Sequence, residues 1–217
     1  MEIEELFAKN WQFANATQGL STEEHDPRLV TVSCCDARVP QNSIFGSAPG
    51  ENFTVAKIGN CVSERDENGD PILSGSVLYP LVKTAPEYAI VIGHTDCGAV
   101  TAAYGQVAEN AEPESHELQN ELDLLLPIVR EGLELFDRET LSRDEQITRL
   151  VEYNVDKQVE ALLPKAGDVP VLGVVVDLHG YYPGRPGQAH LVNHGGVRKH
   201  GDVPSKLKPN FYRKLDY

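Results

Sequence analysis

The sequence has few cysteines, few basic residues and no long apolar run, and each shortage narrows what the protein can be. Four cysteines among 217 residues are too few for a disulfide-rich scaffold, so they point to a metal site or to catalysis. No apolar run approaches the roughly 20 residues that span a bilayer. The first residues are acidic, unlike the basic and then apolar start of a signal peptide. We therefore expect a soluble, cytoplasmic protein with no membrane partner.

The charge balance is strongly acidic. Acidic residues number 33 against 19 basic ones, which gives a formal net charge of −14. A field of this sign repels the phosphate backbone of nucleic acids, so we expect no nucleic-acid partner. The acidic residues are spread along the chain and fit a high-salt host as well as an ordinary one.

The hydrophobic pattern alternates between short strands and helices. Four apolar, β-prone runs at 29–34, 53–58, 88–92 and 169–178 are typical of buried parallel strands. Helical spacing appears at 74–84, at 118–136 with a kink at Pro127, and from about Asp144 to Pro164. We predict a single α/β domain over residues 1–217, with an amphipathic helical arm at 1–20 and an irregular, Gly- and Pro-rich tail at 181–217.

Reactive residues follow two of the predicted strands. Cys34 ends the first strand, and His94 and Cys97 end the third, just before a helix predicted at 99–103. Ligands collect beyond the carboxyl ends of parallel strands, so these groups can meet although they are distant in sequence. Two thiolates and one imidazole leave the fourth corner of a tetrahedral zinc free, which is the arrangement of a catalytic site.

The adjacent cysteines 34 and 35 need to be distinguished. Strand side chains alternate between faces, so Cys34 is expected to share a face with Asp36 and Arg38. Cys35 is then expected to point into the packing of the sheet as a small buried hydrophobe, and Cys61 is interpreted in the same way.

These residues resemble a known family. The motifs Cys34-x-Asp36-x-Arg38 and His94-x-x-Cys97-Gly98 are similar to the paired signatures of β-class carbonic anhydrases. The resemblance is close over residues 29 to 105 and looser around Asn154 to Gln158 and Gly173 to Asp177.

The resemblance implies a fold, a metal and a reaction. It implies a doubly wound, mostly parallel central sheet flanked by helices, an N-terminal helical arm that wraps a partner subunit, and a homodimer or homotetramer. It also implies one Zn²⁺ per chain, bound by Cys34, His94 and Cys97, and reversible hydration of carbon dioxide to bicarbonate.

The resemblance also assigns roles beside the metal. Asp36 and Arg38 form a catalytic dyad, and Asp36 becomes a fourth zinc ligand in a closed state. In the expected mechanism Arg38 holds Asp36 off the metal through a charge-assisted contact. Val39, Phe53 and Val62 are candidate walls of the cleft.

Other functions fit part of the pattern. Hydrolases of carbonyl sulfide or carbon disulfide share these motifs and this zinc site. A non-catalytic zinc-binding domain would need the three ligands but not the Asp36–Arg38 pair. A cysteine phosphatase is disfavoured because Arg38 lies too close to Cys34 to close a phosphate-binding loop.

Overall fold

The computed structural model describes residues 2–17 and 25–217. The strands are β1 (Leu29–Ser33), β2 (Asn52–Ala56), β3 (Ser63–Arg65), β4 (Pro71–Leu73), β5 (Tyr88–His94), β6 (Val171–Asp177) and β7 (Gln188–His194). The helices are α1 (Ile3–Ala16), α2 (Gln41–Ile44), α3 (Gly75–Lys83), α4 (Gly98–Ala108), α5 (His116–Leu122), α6 (Leu126–Gly132) and α7 (Arg143–Leu162).

Five of the strands form the central sheet. Their order is β2-β1-β5-β6-β7, while β3 and β4 form a separate antiparallel hairpin. The first four strands of the sheet run parallel, and β7 pairs with β6 in the antiparallel direction. The chain moves outward from β1 to β2 and then returns to the other side of β1 with β5. The strand order therefore reverses between β1 and β5, which is where open parallel sheets bind ligands.

Both faces of the sheet are covered, which explains why the strands are apolar throughout. On one face α7 packs against β5 and β6. This packing is close because Gly93 and Gly173 have no side chain: a Cβ added at either position would lie 2.6 Å from the methyl carbons of Val155. The other face is covered in part by Val203 and Phe211 from the C-terminal segment. The predicted mostly parallel α/β sheet is confirmed.

The prediction of an irregular tail at 181–217 is wrong for part of that segment. Residues Gln188–His194 form β7, an edge strand of the main sheet. Gly187 precedes this strand, and Gly195 and Gly196 follow it, all with positive φ. These glycines reverse the chain at each end of a strand, so they mark its boundaries and do not indicate continuous irregular structure.

The helix predicted over 118–136 is also divided. Helix α5 ends at Leu122 and α6 begins at Leu126, followed by a short 3-10 turn. Pro127 lies in the first turn of α6. At that position its missing N–H removes no helical hydrogen bond, so the proline helps to start a helix and does not kink one.

Helix α1 occupies Ile3–Ala16 of the arm predicted at 1–20, whose residues 1 and 18–20 lie outside the described residues, and its large apolar side chains are exposed. The exposed fractions are 62% for Ile3, 63% for Phe7 and 71% for Trp11. Within the two described ranges, no helix is long and apolar enough to cross a membrane.

Candidate metal centre

The three predicted ligands meet at the carboxyl ends of β1 and β5. Ser33 lies beside Ile92 in the parallel register, so Cys34 and His94 extend from neighbouring strands. Cys97 is the N-cap residue of α4. The ligand atoms of Cys34, His94 and Cys97 lie within 4.8 Å of one another, and all three residues are buried. The two sulfur atoms are 3.9 Å apart.

The imidazole of His94 presents one free nitrogen to the two sulfurs. Its Nδ1 lies 3.1 Å from the carbonyl oxygen of Thr95. A carbonyl only accepts, so Nδ1 carries the hydrogen and Nε2 keeps a lone pair. Nε2 is buried and has no hydrogen-bond partner among the residues that the structure describes. A buried imidazole nitrogen without a hydrogen-bond partner is available to bind a metal. Together with the two thiols it forms a set of one nitrogen and two sulfur donors, which zinc prefers, so these residues fit the metal.

The two thiols are electrostatically coupled. The Cys97 thiol donates a hydrogen bond to Cys34 and lowers the pKa of Cys34, with further contributions from His94 and from the backbone amides of Gly59 and Asp36. The same interaction, together with burial, raises the pKa of Cys97. The two sulfurs therefore interact directly, and metal binding there would require both thiols to lose their protons.

Asp36 and Arg38 lie beside the three ligands. Arg38 donates from Nε to Oδ1 of Asp36 at 3.0 Å and from Nη2 to Oδ2 at 2.8 Å, and its backbone N–H donates to Oδ1 at 2.8 Å. These bonds hold the pKa of the Asp36 carboxyl well below its usual range. Oδ2 of Asp36 also lies 3.9 Å from Nε2 of His94. Asp36 is thus a permanently charged acceptor at the edge of the candidate metal centre.

The structure corrects the expectation for Cys35. Strand β1 ends at Ser33, so the alternation of faces does not continue through residues 34 to 38. Cys35 is exposed and lines the cavity above Cys34, whereas it was expected to be buried in packing. Cys61 is buried, with 2% of its surface exposed, as expected.

A cavity of about 610 Å³ leads to the centre. Cys34 and Asp36 line it, together with the small residues Gly98, Ala102 and Gly105 of α4. The cavity is also lined by apolar residues, including Leu118 and Leu122, and by four charged ones: Glu109, Glu112, Glu114 and Arg143.

The predicted cleft walls are wrong for this cavity. Val39 and Val62 belong to the two hydrophobic cores, and Phe53 lines a different cavity. The small residues Gly98, Ala102 and Gly105, spaced along α4, line the cavity instead. Their spacing is the feature of the sequence from which this wall of the cavity could have been predicted.

Comparison with known proteins identifies the family. A sequence profile described as carbonic anhydrase matches residues 29–179, which include both reactive motifs. The chain belongs to the β-carbonic anhydrase family. The resemblance noted in the sequence is thereby confirmed.

Curated relatives in this family are distant. The carbonic anhydrase of Helicobacter pylori strain J99 is 27% identical over 121 residues, covering 55% of this chain and 54% of the relative. Beta carbonic anhydrase 3 of Arabidopsis thaliana is 26% identical over 138 residues, covering 63% of this chain and 52% of the relative. The chain spans about half the length of the curated relatives it matches.

Solved structures of β-carbonic anhydrases share the fold. The enzyme of Aspergillus fumigatus superposes with a TM-score of 0.67 at 24% identity, covering 97% of this chain and 95% of the other. The Coccomyxa enzyme, solved in complex with acetazolamide, gives a TM-score of 0.68 at 24% identity, covering 93% and 90%. A tetrameric β-carbonic anhydrase from Sordaria macrospora gives 0.68 at 21%, covering 88% and 95%.

Proposed function

We propose that this protein catalyses the zinc-dependent, reversible hydration of carbon dioxide to bicarbonate and a proton. One observation carries the proposal: the buried, unpartnered Nε2 of His94 faces the sulfurs of Cys34 and Cys97, with an ion-paired carboxylate alongside. Membership of the β-carbonic anhydrase family supports it.

Cys34, His94 and Cys97 would hold one Zn²⁺ per chain. Two sulfurs and one nitrogen occupy three corners of a tetrahedron and leave the fourth for the reaction. When bound, zinc would lower the pKa of water to about 7 and supply a hydroxide nucleophile near neutral pH.

The remaining chemistry depends on this chain's own side chains. Arg38 holds Asp36 as a carboxylate, so Asp36 accepts a hydrogen bond from the attacking water and directs the lone pair of that water towards carbon dioxide. The Nδ1–H of His94 donates to Thr95 and keeps Nε2 aimed at the sulfurs. The small side chains of α4 leave room for a neutral gas and place no positive charge beside it.

The proposal is tested by measuring metal content and turnover on the same sample. We expect about one zinc per chain, and stopped-flow hydration of carbon dioxide that disappears on chelation and returns with zinc. Zinc-loaded protein that hydrates no carbon dioxide would contradict the proposal. In that case turnover of carbonyl sulfide or carbon disulfide would indicate the hydrolase alternative, and no turnover of any gas would indicate a non-catalytic zinc-binding domain.

We also propose that the chain assembles as a homodimer or homotetramer and acts in the cytoplasm. The exposed apolar side chains of α1, including Phe7 and Trp11, support assembly because they lie uncovered on a single chain. Carbon dioxide and bicarbonate would be its small-molecule partners.

A further inference from the structure

A row of buried amide side chains lies behind the candidate metal centre. Asn154 and Gln158 are one turn apart on α7 and are 1% and 3% exposed. Neither residue lines the cavity that leads to Cys34. They contact instead the loop of residues 58–62.

The hydrogen bonds in this row all run in one direction. The backbone N–H of Val62 donates to Oε1 of Gln158 at 2.9 Å, and Nε2 of Gln158 donates to Oδ1 of Asn154 at 2.9 Å. Nδ2 of Asn154 then donates to the carbonyl oxygen of Gly59 at 2.9 Å. A backbone N–H can only donate and a carbonyl can only accept, so both side-chain amides have a fixed orientation. The oxygen of each side-chain amide therefore accepts a hydrogen bond, and its NH2 group donates one.

The loop held by this row has a backbone conformation that needs support. Gly59 and Asn60 are consecutive residues with positive φ, at 64° and 49°. A side chain at Gly59 is excluded, because an added Cβ would lie 2.5 Å from Cδ1 of Leu125. Asn60 adopts the left-handed region although it is not glycine, which costs energy that the surrounding contacts must offset.

The same loop also lies beside the metal centre. The backbone N–H of Lys57, just before the loop, donates to the carbonyl oxygen of Ser33, next to Cys34, at 3.0 Å, and Ile58 lines the same cavity as Cys34. The loop is thus tied to α7 through the carbonyl oxygen of Gly59 and lies on its other side beside a candidate ligand.

We propose that Asn154 and Gln158 are positioning residues that hold the loop of residues 58–62 against Cys34 and thereby slow the loss of the metal. The inference rests on the proposed metal site but not on the reaction performed there. A loop packed beside a ligand fixes the orientation of that ligand, and loss of such outer partners typically costs about 10- to 100-fold in metal affinity.

The test compares matched variants of the zinc-loaded protein. Asn154→Leu and Gln158→Met keep side-chain volume and remove the amides. Gln146→Met is the control, because Gln146 lies on the same helix and is 7% exposed, and its hydrogen bonds go to Tyr104 and to the backbone carbonyls of Arg138 and Leu141, none of which is a candidate ligand or part of the loop of residues 58–62. The measurements are the rate of zinc transfer to a chromophoric chelator, the thiolate-to-metal charge-transfer band after cobalt substitution, and the melting temperature of the metal-free form.

We expect Asn154→Leu and Gln158→Met to lose zinc about 10-fold faster or more and to shift the cobalt band. Gln146→Met should lower the melting temperature to a similar extent while keeping the parental rate of zinc loss. The proposal would be overturned if Asn154→Leu and Gln158→Met both lost zinc at the parental rate. It would also be overturned if Gln146→Met lost zinc as fast as they do. If Asn154→Leu does not fold, Gln158→Met against Gln146→Met decides the question. Carbon dioxide hydration by the parent is assayed separately, so failure of the proposed reaction is distinguishable from failure of this inference.

Discussion

At the scale of single residues, the adjacent cysteines 34 and 35 have opposite environments. Cys34 is buried among the candidate ligands, and Cys35 is exposed in the cavity. We expect Cys34→Ser to lose most of its zinc, because the harder hydroxyl is a poor substitute for a thiolate. Cys35→Ser should keep about one zinc per chain in elemental analysis. Equal loss from both variants would contradict the ligand assignment.

Arg38 is expected to act as a gate through its contact with Asp36. Three side-chain hydrogen bonds and one from the backbone hold this carboxylate, whose Oδ2 lies 3.9 Å from Nε2 of His94. Without Arg38 the carboxylate is free to turn and take the fourth position on the metal. We expect Arg38→Ala to keep its zinc and lose about 10² to 10⁴ in rate, the scale of a lost acid–base partner.

X-ray absorption checks the gate directly. Arg38→Ala should show an oxygen ligand from Asp36 alongside two sulfurs and one nitrogen. Because Arg38 lowers the pKa of Asp36 in the parent, that carboxyl stays charged as the pH falls through the usual range of an aspartate, so its own titration does not open or close the parental site. Parental rates in Arg38→Ala across the pH range would show that Arg38 is only structural.

The sequence predicted the residues of the centre better than their surroundings. Cys34, His94 and Cys97 were identified because reactive residues at strand ends need few assumptions about the rest of the fold. The environment of Cys35 was predicted wrongly because the end of β1 at Ser33 is set by tertiary packing. Periodicity alone does not locate such an end to one residue.

At the scale of elements, the sequence predicted those with a strong period and missed those fixed by long-range contacts. The parallel strands and α7 carry continuous apolar patterns that local reasoning detects. Strand β7 has 7 residues, as many as β5 and β6, but its mixture of polar and apolar residues gives only a weak strand signal, and it forms by pairing with β6. The hydrogen bonds of Asn154 and Gln158 likewise could not be predicted from the sequence, because their partners Gly59 and Val62 lie more than 90 positions away.

The C-terminal segment is expected to contribute strongly to stability through Arg213. This guanidinium is 7% exposed and donates to both oxygens of Asp156, at 3.0 and 2.8 Å, while the carboxylate itself is fully buried. Arg213→Met leaves the Asp156 charge buried with a missing partner. We expect a loss of about 3 to 5 kcal/mol in the free energy of unfolding, measured by denaturant titration.

A surface ion pair of the same region provides the control for Arg213. Arg198 pairs with Glu160, and both side chains are partly exposed, at 31% and 40%. We expect Arg198→Met to cost about 1 kcal/mol or less, because solvent screens the pair. Similar losses in the two variants would show that burial of the Asp156 pair is not what stabilises the tail.

At the scale of the whole molecule, charge and apolar surface have opposite effects on assembly. A net charge of −14 makes copies of the chain repel one another at long range. Helix α1 nevertheless presents Ile3, Phe7 and Trp11 to solvent, each more than half exposed. Burial of these side chains against a second copy would offset the repulsion, since each large apolar side chain contributes about 1.5 to 3 kcal/mol when fully buried.

The arm is therefore expected to determine the oligomeric state. We expect the parent to be a dimer or larger at micromolar concentration in light scattering, and Phe7→Lys combined with Trp11→Lys to shift it towards monomer. Glu5→Gln combined with Gln12→Lys is the control, because Glu5 and Gln12 lie at least about 100° around the helix from Phe7 and Trp11 and the two changes together shift the net charge by the same amount as the double variant. Added salt should strengthen assembly of the parent by screening its acidic charge. A parental monomer with full activity, or assembly that survives the double variant, would show that α1 does not hold the subunits together.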